Sequence, residues 1–220
     1  VWCSGPGLPF SAGTPYGTNA AQPLNSLADL LANYPVGPGD IIYVDTGTYP
    51  LSKPILINER HQGTTSMPVR IYGSTNISAG GAVFQGVENK LFAIQNTRNI
   101  RLQDIRVTQA QHGISINNAD NVVLIGMELW DNQTNGLYVS GSANITIQNA
   151  RIWRNGGSAY ASAGSKGGET IINSTIYGNR GGGISTDKGL TLVNSIVVTT
   201  NASAIFVESA QSASIGGDFN

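Results

Sequence analysis

The sequence predicts an all-β fold, a single-stranded parallel β-helix (solenoid) with a short N-terminal capping helix. Two observations carry that reading: a repeat of about 22 residues, and three short alternating runs inside each copy. The repeat is clearest at Asn99-Ile100-Arg101-Leu102, Asn121-Val122-Val123-Leu124 and Asn144-Ile145-Thr146-Ile147. Weaker copies follow at Thr170-Ile171-Ile172-Asn173, Leu190-Thr191-Leu192-Val193 and Ser214-Ile215-Gly216-Gly217. Each copy continues into a second run, as in Ile105-Arg106-Val107 and Met127-Glu128-Leu129. A third run then opens on a small residue, as in Gly113-Ile114-Ser115-Ile116 and Gly136-Leu137-Tyr138-Val139. The inward positions of each run match only the equivalent run one period later, so the strands stack on their own copies, parallel and about 4.8 Å apart. Leucine-rich repeats of similar length are excluded because their Leu/Asn consensus is missing.

At the N-terminal end, Ser26 and Asp29 read as a capping box. Leu27, Leu30, Leu31 and Tyr34 form one apolar stripe, and Pro35 stops the helix. A solenoid leaves a bare strand edge and an open core at its first coil, and this helix is the expected lid. Asp40 to Asp45, Pro54 to Ile57 and Pro68 to Tyr72 read as strands of the early coils. Residues 58–67 read as an excursion that holds His61 in a solvated loop. The expected organisation is a cap over residues 1–39 and coils over 40–220. The coil begun at Ala213 is expected to continue beyond residue 220 in a longer parent protein.

The Asn-Ile-x-Ile and Gly-Ile-x-Ile runs resemble the right-handed parallel β-helix repeat of the pectate-lyase-like superfamily, closely over residues 81–220 and loosely over 40–80. The succession of helix, Gly-Asp-Ile-Ile-Tyr-Val and Gly-Thr-Tyr is similar to the entry segment of many secreted bacterial β-helices. The resemblance implies a right-handed coil, a secreted or cell-surface location and a glycan partner.

Stacked coils allow the outer face to be read column by column. Asp104, Gly126, Asn149, Asn173, Asn194 and Gly217 fall at one turn, where a buried amide ladder is expected. Arg106, Glu128 and Arg151 place opposite charges one strand spacing apart. The next outward column runs Thr108, Trp130, Trp153, Tyr177 and Val198, with Asp131, Arg154 and Arg180 beside it. Exposed ring faces bordered by charged groups suit pyranose stacking, so Trp130, Trp153, Tyr177, Asp131, Arg154 and Arg180 are the expected ligand-binding residues. Rings at this spacing can equally stack on one another, and both readings stand at this point.

Charge and composition narrow the function. The 220 residues carry 12 Lys+Arg against 13 Asp+Glu, which builds no positive field for nucleic acid. Charged residues make up 11%, less than half the roughly 25% usual in globular domains. No apolar run approaches the eighteen or so residues of a membrane span, so membrane insertion is not expected. A single cysteine gives no disulfide framework. Paired carboxylates for glycoside hydrolysis do not cluster on adjacent coils. Of the Asn-Thr-Asp, Asp-Asp, Gly-His-Gly and Arg-Ile-Lys motifs of β-helix polygalacturonases, only Ser185-Thr186-Asp187 echoes one. No metal cage is visible in the outward columns, and no cofactor is implied. His112 and Tyr138, with Arg154 and Arg180, are the remaining catalytic candidates, suited to a metal-free uronate lyase or epimerase. The expected function is a β-helix module of a larger secreted or cell-surface protein that binds polysaccharide or acts as a structural rod, with end-to-end association at its coil ends. The alternative is a polysaccharide lyase or uronate epimerase acting on an extracellular glycan.

Overall fold

The computed structural model describes residues 1–8, 17–86, 89–200 and 202–208. Its strands form three parallel sheets; from Ile41 onward each coil contributes one strand to each, and Trp2–Leu8 adds an eighth strand to the first. The first sheet holds Trp2–Leu8, Ile41–Val44, Val69–Tyr72, Arg98–Gln103, Asp120–Ile125, Ala143–Gln148, Thr170–Ile172 and Thr191–Val193. The second runs from Gly47–Pro50 through Ala82–Gln85, Ile105–Thr108, Glu128–Trp130, Arg151–Trp153 and Thr175–Tyr177 to Ile196–Val198. The third runs from Ile55–Ile57 through Lys90–Gln95, His112–Asn117, Leu137–Ser140, Ser158–Ala163 and Gly182–Thr186 to Ile205–Val207. The repeat copy at Ser214 to Gly217 lies outside the described residues.

From Arg98 onward the passage from first to second sheet takes one or two residues, and the backbone of the first of them explains the sequence there. Asp104, Gly126, Asn149, Asn173 and Asn194 all have φ between 45 and 61°. Only Gly, Asn and Asp enter this left-handed region at low cost. The bend turns their side chains outward, and Asn149, Asn173 and Asn194 are exposed. The buried amide ladder expected in this column is therefore not there. It runs instead through Asn132, Asn155 and Asn179 on the other side of the second sheet, all at most 4% exposed. Asn132 Nδ2 donates to Asn155 Oδ1 at 2.9 Å, and Asn155 Nδ2 donates to Asn179 Oδ1 at 2.9 Å. The same Oδ1 atoms accept the backbone N–H groups of Asn132 and Asn155.

The core is the inward columns. Ile100, Val122 and Ile145 stack in one and Leu102, Leu124 and Ile147 in the next. Of the inward residues read from the repeat, only Ile205 and Val207, in the last described coil, are half-buried. One column breaks the apolar rule. Thr146 pairs with Thr170, so Glu169 takes the place that Ile145 holds in the preceding coil. Glu169 is 3% exposed, and its Oε2 accepts a 3.5 Å bond from Ser162 Oγ. Its Oε1 and the Tyr160 hydroxyl have no hydrogen-bond partner. Burial, and then the Glu169 carboxylate, raise the Tyr160 phenol well above its ordinary range.

The helix Leu27–Asn33 begins on half of the expected capping box: Ser26 Oγ accepts the Asp29 N–H at 3.1 Å, but the Asp29 side chain turns to Lys53 and not back to the Ser26 N–H. Leu27, Ala28, Leu30 and Leu31 are buried, and the helix packs on Ile55–Ile57, the terminal strand of the third sheet. The Asp29 carboxylate meets Lys53 at 2.8 Å. His61 is not in a solvated loop. It is 3% exposed, its Nδ1 accepts the Asn58 N–H at 3.1 Å and its Nε2 lies 2.9 Å from the Leu31 carbonyl. The imidazole ties the end of the capping helix to the first coils, which is why it is buried. Cys3 sits under this cap, fully buried, its thiol pushed up to about 12 by burial.

Three outcomes follow from this packing. Asn155→Ala leaves amide and backbone groups of two neighbouring coils unpaired and should lower unfolding free energy by about 2–4 kcal/mol in denaturant titration. Glu169→Leu restores the apolar column and should raise it by about 1–3 kcal/mol; a lower denaturation midpoint would mean that the carboxylate has a compensating role. Cys3 should resist a thiol reagent at neutral pH in the folded protein and react fully once unfolded.

Candidate functional site

The ends of three adjacent second-sheet strands carry the expected aromatic column. Trp130 pairs with Trp153, and Trp153 with Tyr177. The Trp130 and Trp153 rings are 5.2 Å apart at 5°, and the Trp153 and Tyr177 rings 6.0 Å apart at 4°. Parallel rings at coil spacing spend their faces on one another, so the ridge offers solvent mainly ring edges, with Tyr177 40% exposed. Of the two readings left open above, mutual stacking is the observed one. The Arg151 guanidinium adds a cation–π contact 5.7 Å from the Trp153 ring centre. Thr108, assigned to the same outward column, is 4% exposed. It stands in that column, paired with Gln85 and Trp130, but is covered.

Charged groups border the ridge. Arg154 binds Asp131 with both ends of its fork, at 2.9 and 2.6 Å, and both residues sit at φ 52° in the turn that follows the second sheet. Arg180 lies exposed at the equivalent turn one coil on. Glu128 holds Arg106 at 3.3 Å and Arg151 at 2.5 Å, the alternation of charge that the sequence anticipates. The structure thus brings Trp130, Trp153, Tyr177, Asp131 and Arg154 onto one flank.

Of the catalytic candidates, His112 and Tyr138 lie on the third sheet, and Arg154 and Arg180 in the turns that lead to it. The His112 and Tyr138 rings are 5.4 Å apart at 33°, and His112 Nδ1 is 2.9 Å from Thr134 Oγ1. Ser185-Thr186-Asp187 serves the fold: Thr186 is buried, and the Asp187 carboxylate accepts the Ser165 N–H at 3.2 and 3.3 Å. Among the described residues no cluster of three or more His, Cys, Asp or Glu side chains could hold a metal ion.

A second aromatic column was not recognised in the sequence. Trp2 pairs with Tyr43, Tyr43 with Tyr72 and Tyr72 with Gln103 on the outer face of the first sheet. Trp2 and Tyr43 stack at 4.6 Å and 23°, but Tyr72 is turned 64° to Tyr43 at 6.0 Å. Where the column breaks, a hollow of about 320 Å³ opens, bordered by these rings and by Asp45, Ser74, Thr75, Gln103 and Asp104. Gly73 lets the chain run close against the next coil here, since a Cβ would lie 2.1 Å from the Asp104 carbonyl oxygen. Aligning Tyr43 with Tyr72 as successive copies is the signal that would have found it. A larger hollow of about 520 Å³ follows the turns of Asn99, Asn121 and Asn144. Its amides are spent within the wall, Asn121 on Asn99 at 2.7 Å and Asn144 on Asp120 at 2.8 Å, and no ring borders it.

Known proteins share this architecture. The family described as "Right handed beta helix region" matches residues 69–219. Pectate lyase Pel9A superposes with a TM-score of 0.74 at 16% identity, over 99% of this chain and 57% of that one. The GH136 lacto-N-biosidase from Eubacterium ramulus superposes at 0.60 and 12% identity, over 88% of this chain and 43% of that one. The alginate lyase from Paenibacillus sp. str. FPU-7 does so at 0.54 and 19%, over 80% and 72%. The chain thus spans about half the length of the first two. No curated protein matches it in sequence. These likenesses give the fold and its right hand, and with most of its length matched the chain belongs to the right-handed β-helix family.

Proposed function

We propose that this chain is a β-helix module of a larger secreted or cell-surface protein and that it binds an extended polysaccharide along the flank of Trp130, Trp153 and Tyr177. The observation that carries the reading is the run of three parallel rings, one per coil, beside the Asp131–Arg154 pair and Arg180. The ring faces are engaged, so contact comes from ring edges, the indole N–H and phenol O–H groups, and the guanidinium groups, which hydrogen-bond sugar hydroxyls and uronate carboxylates. Support also comes from the fold, which is shared with proteins named as pectate and alginate lyases. The specific observation favouring the alternative, a polysaccharide lyase or uronate epimerase, is His112 beside Tyr138 on the third sheet.

Binding to a glycan panel that includes polygalacturonate and alginate separates these readings. Trp153→Ala and Arg154→Ala should each weaken binding by about 1–3 kcal/mol, with the melting curve little changed because both side chains lie outside the core. A structural rod would bind no glycan in the panel. A lyase would release unsaturated uronates, seen in the ultraviolet, and lose that activity in His112→Ala.

A further inference from the structure

We propose that the hollow beside Tyr72 is a second carbohydrate site, shaped for one neutral hexopyranose residue and closed to uronates. The inference rests on the reading that this protein binds glycans, but on a different face and with a different charge. The column Trp2, Tyr43 and Tyr72 ends at Gln103, and the hollow runs beside all four, so the rings form one wall of it. The 64° turn of Tyr72 keeps that ring from closing into a mutual stack like the 4 to 5° stack of the second-sheet ridge. A pyranose set on the aromatic wall continues the column through its C–H face.

The polar border decides which sugar fits. Gln103 is fixed, accepting from Arg101 at 2.9 Å and donating to Asp104 Oδ2 at 2.9 Å. The Ser74 hydroxyl lies 2.6 Å from Thr46 Oγ1, and Asp45 Oδ1 accepts the Thr46 N–H at 2.7 Å. Carboxylates held in place this way are acceptors for sugar hydroxyls. Asp45 and Asp104 border the hollow, and no Lys or Arg does. A uronate carboxylate would enter against two like charges, whereas a neutral hexose meets rings, carboxylate acceptors and the hydroxyls of Ser74 and Thr75 without that repulsion. The second-sheet flank, with Arg154 and Arg180, has the opposite preference. The two faces therefore sort glycans by charge.

Calorimetric titration of the whole chain with neutral β-linked gluco-, manno- and galactohexaose, and with hexagalacturonate, tests this. At least one neutral hexaose should bind, and Tyr72→Ala should weaken it about tenfold. Thr75→Arg, at an exposed position on the rim, should abolish it by filling the hollow while leaving the fold and any hexagalacturonate binding unchanged. The second variant keeps the test valid if Tyr72→Ala fails to fold. Neutral binding that survives Thr75→Arg overturns the site, as does hexagalacturonate binding that Thr75→Arg removes. A neutral hexaose lost only in Trp153→Ala leaves the second-sheet flank standing and sinks the hollow. If no glycan of either charge binds, both readings fall.

Discussion

The described strands pair with their equivalents in the neighbouring coils, and that constraint organises everything else. A parallel ladder with one strand per coil requires each coil to repeat the length and bends of the last, because a single slipped residue would exchange inner and outer faces. It also means that an inward side chain packs first against its own copy. Ile100, Val122 and Ile145 are alike because they are one another's neighbours. The bend at Asp104, Gly126, Asn149, Asn173 and Asn194 is the corner that keeps the register, and its left-handed backbone limits the residues that can occupy it.

The same repetition multiplies whatever a turn carries. A buried Asn in one coil becomes a ladder in three, each amide completing the next and the backbone around it. An outward aromatic in one coil becomes a stack. The two aromatic columns show that stacking has more than one outcome: the second-sheet ridge closes on itself, whereas the first-sheet column is broken at Tyr72 and faces a hollow. A mutual stack is an internal use of ring faces, so counting outward aromatics in a sequence does not count binding faces.

What was legible in the sequence follows from these facts. Most strands from residue 98 onward are readable because each has neighbouring copies to compare with, and the capping helix because its signals are local; Ser158–Ala163 is not, since its Ser-Ala-Tyr-Ala-Ser-Ala run lacks the branched apolar residues of its copies. Trp2–Leu8 was not, since its Ser-Gly-Pro-Gly composition resembles a loop and it becomes a strand only by pairing with Ile41–Val44 far along the chain. The amide ladder was placed in the wrong column because the alternation of the runs marks which corners carry Asn, but not which of them aims its side chain inward. His61 looked like a loop residue because the feature that buries it, the end of the capping helix, lies 30 residues away.

The outer face is harder to read for a physical reason. An inward position must match its neighbours above and below, whereas an outward position has solvent on one side and tolerates almost any side chain that keeps the strand. The fold is accordingly shared with enzymes at 12 to 19% identity. Identity that low alongside a common coil means that the inward columns and bends suffice for the architecture and leave the outer columns at liberty. Glu169 shows that even an inward place can be released when its neighbours supply a hydroxyl, as Ser162 does. Departures from the repeat in such a solenoid are therefore local, as at the column broken at Tyr72 and at the charged turn of Asp131 and Arg154, and the coils on either side hold each of them in place.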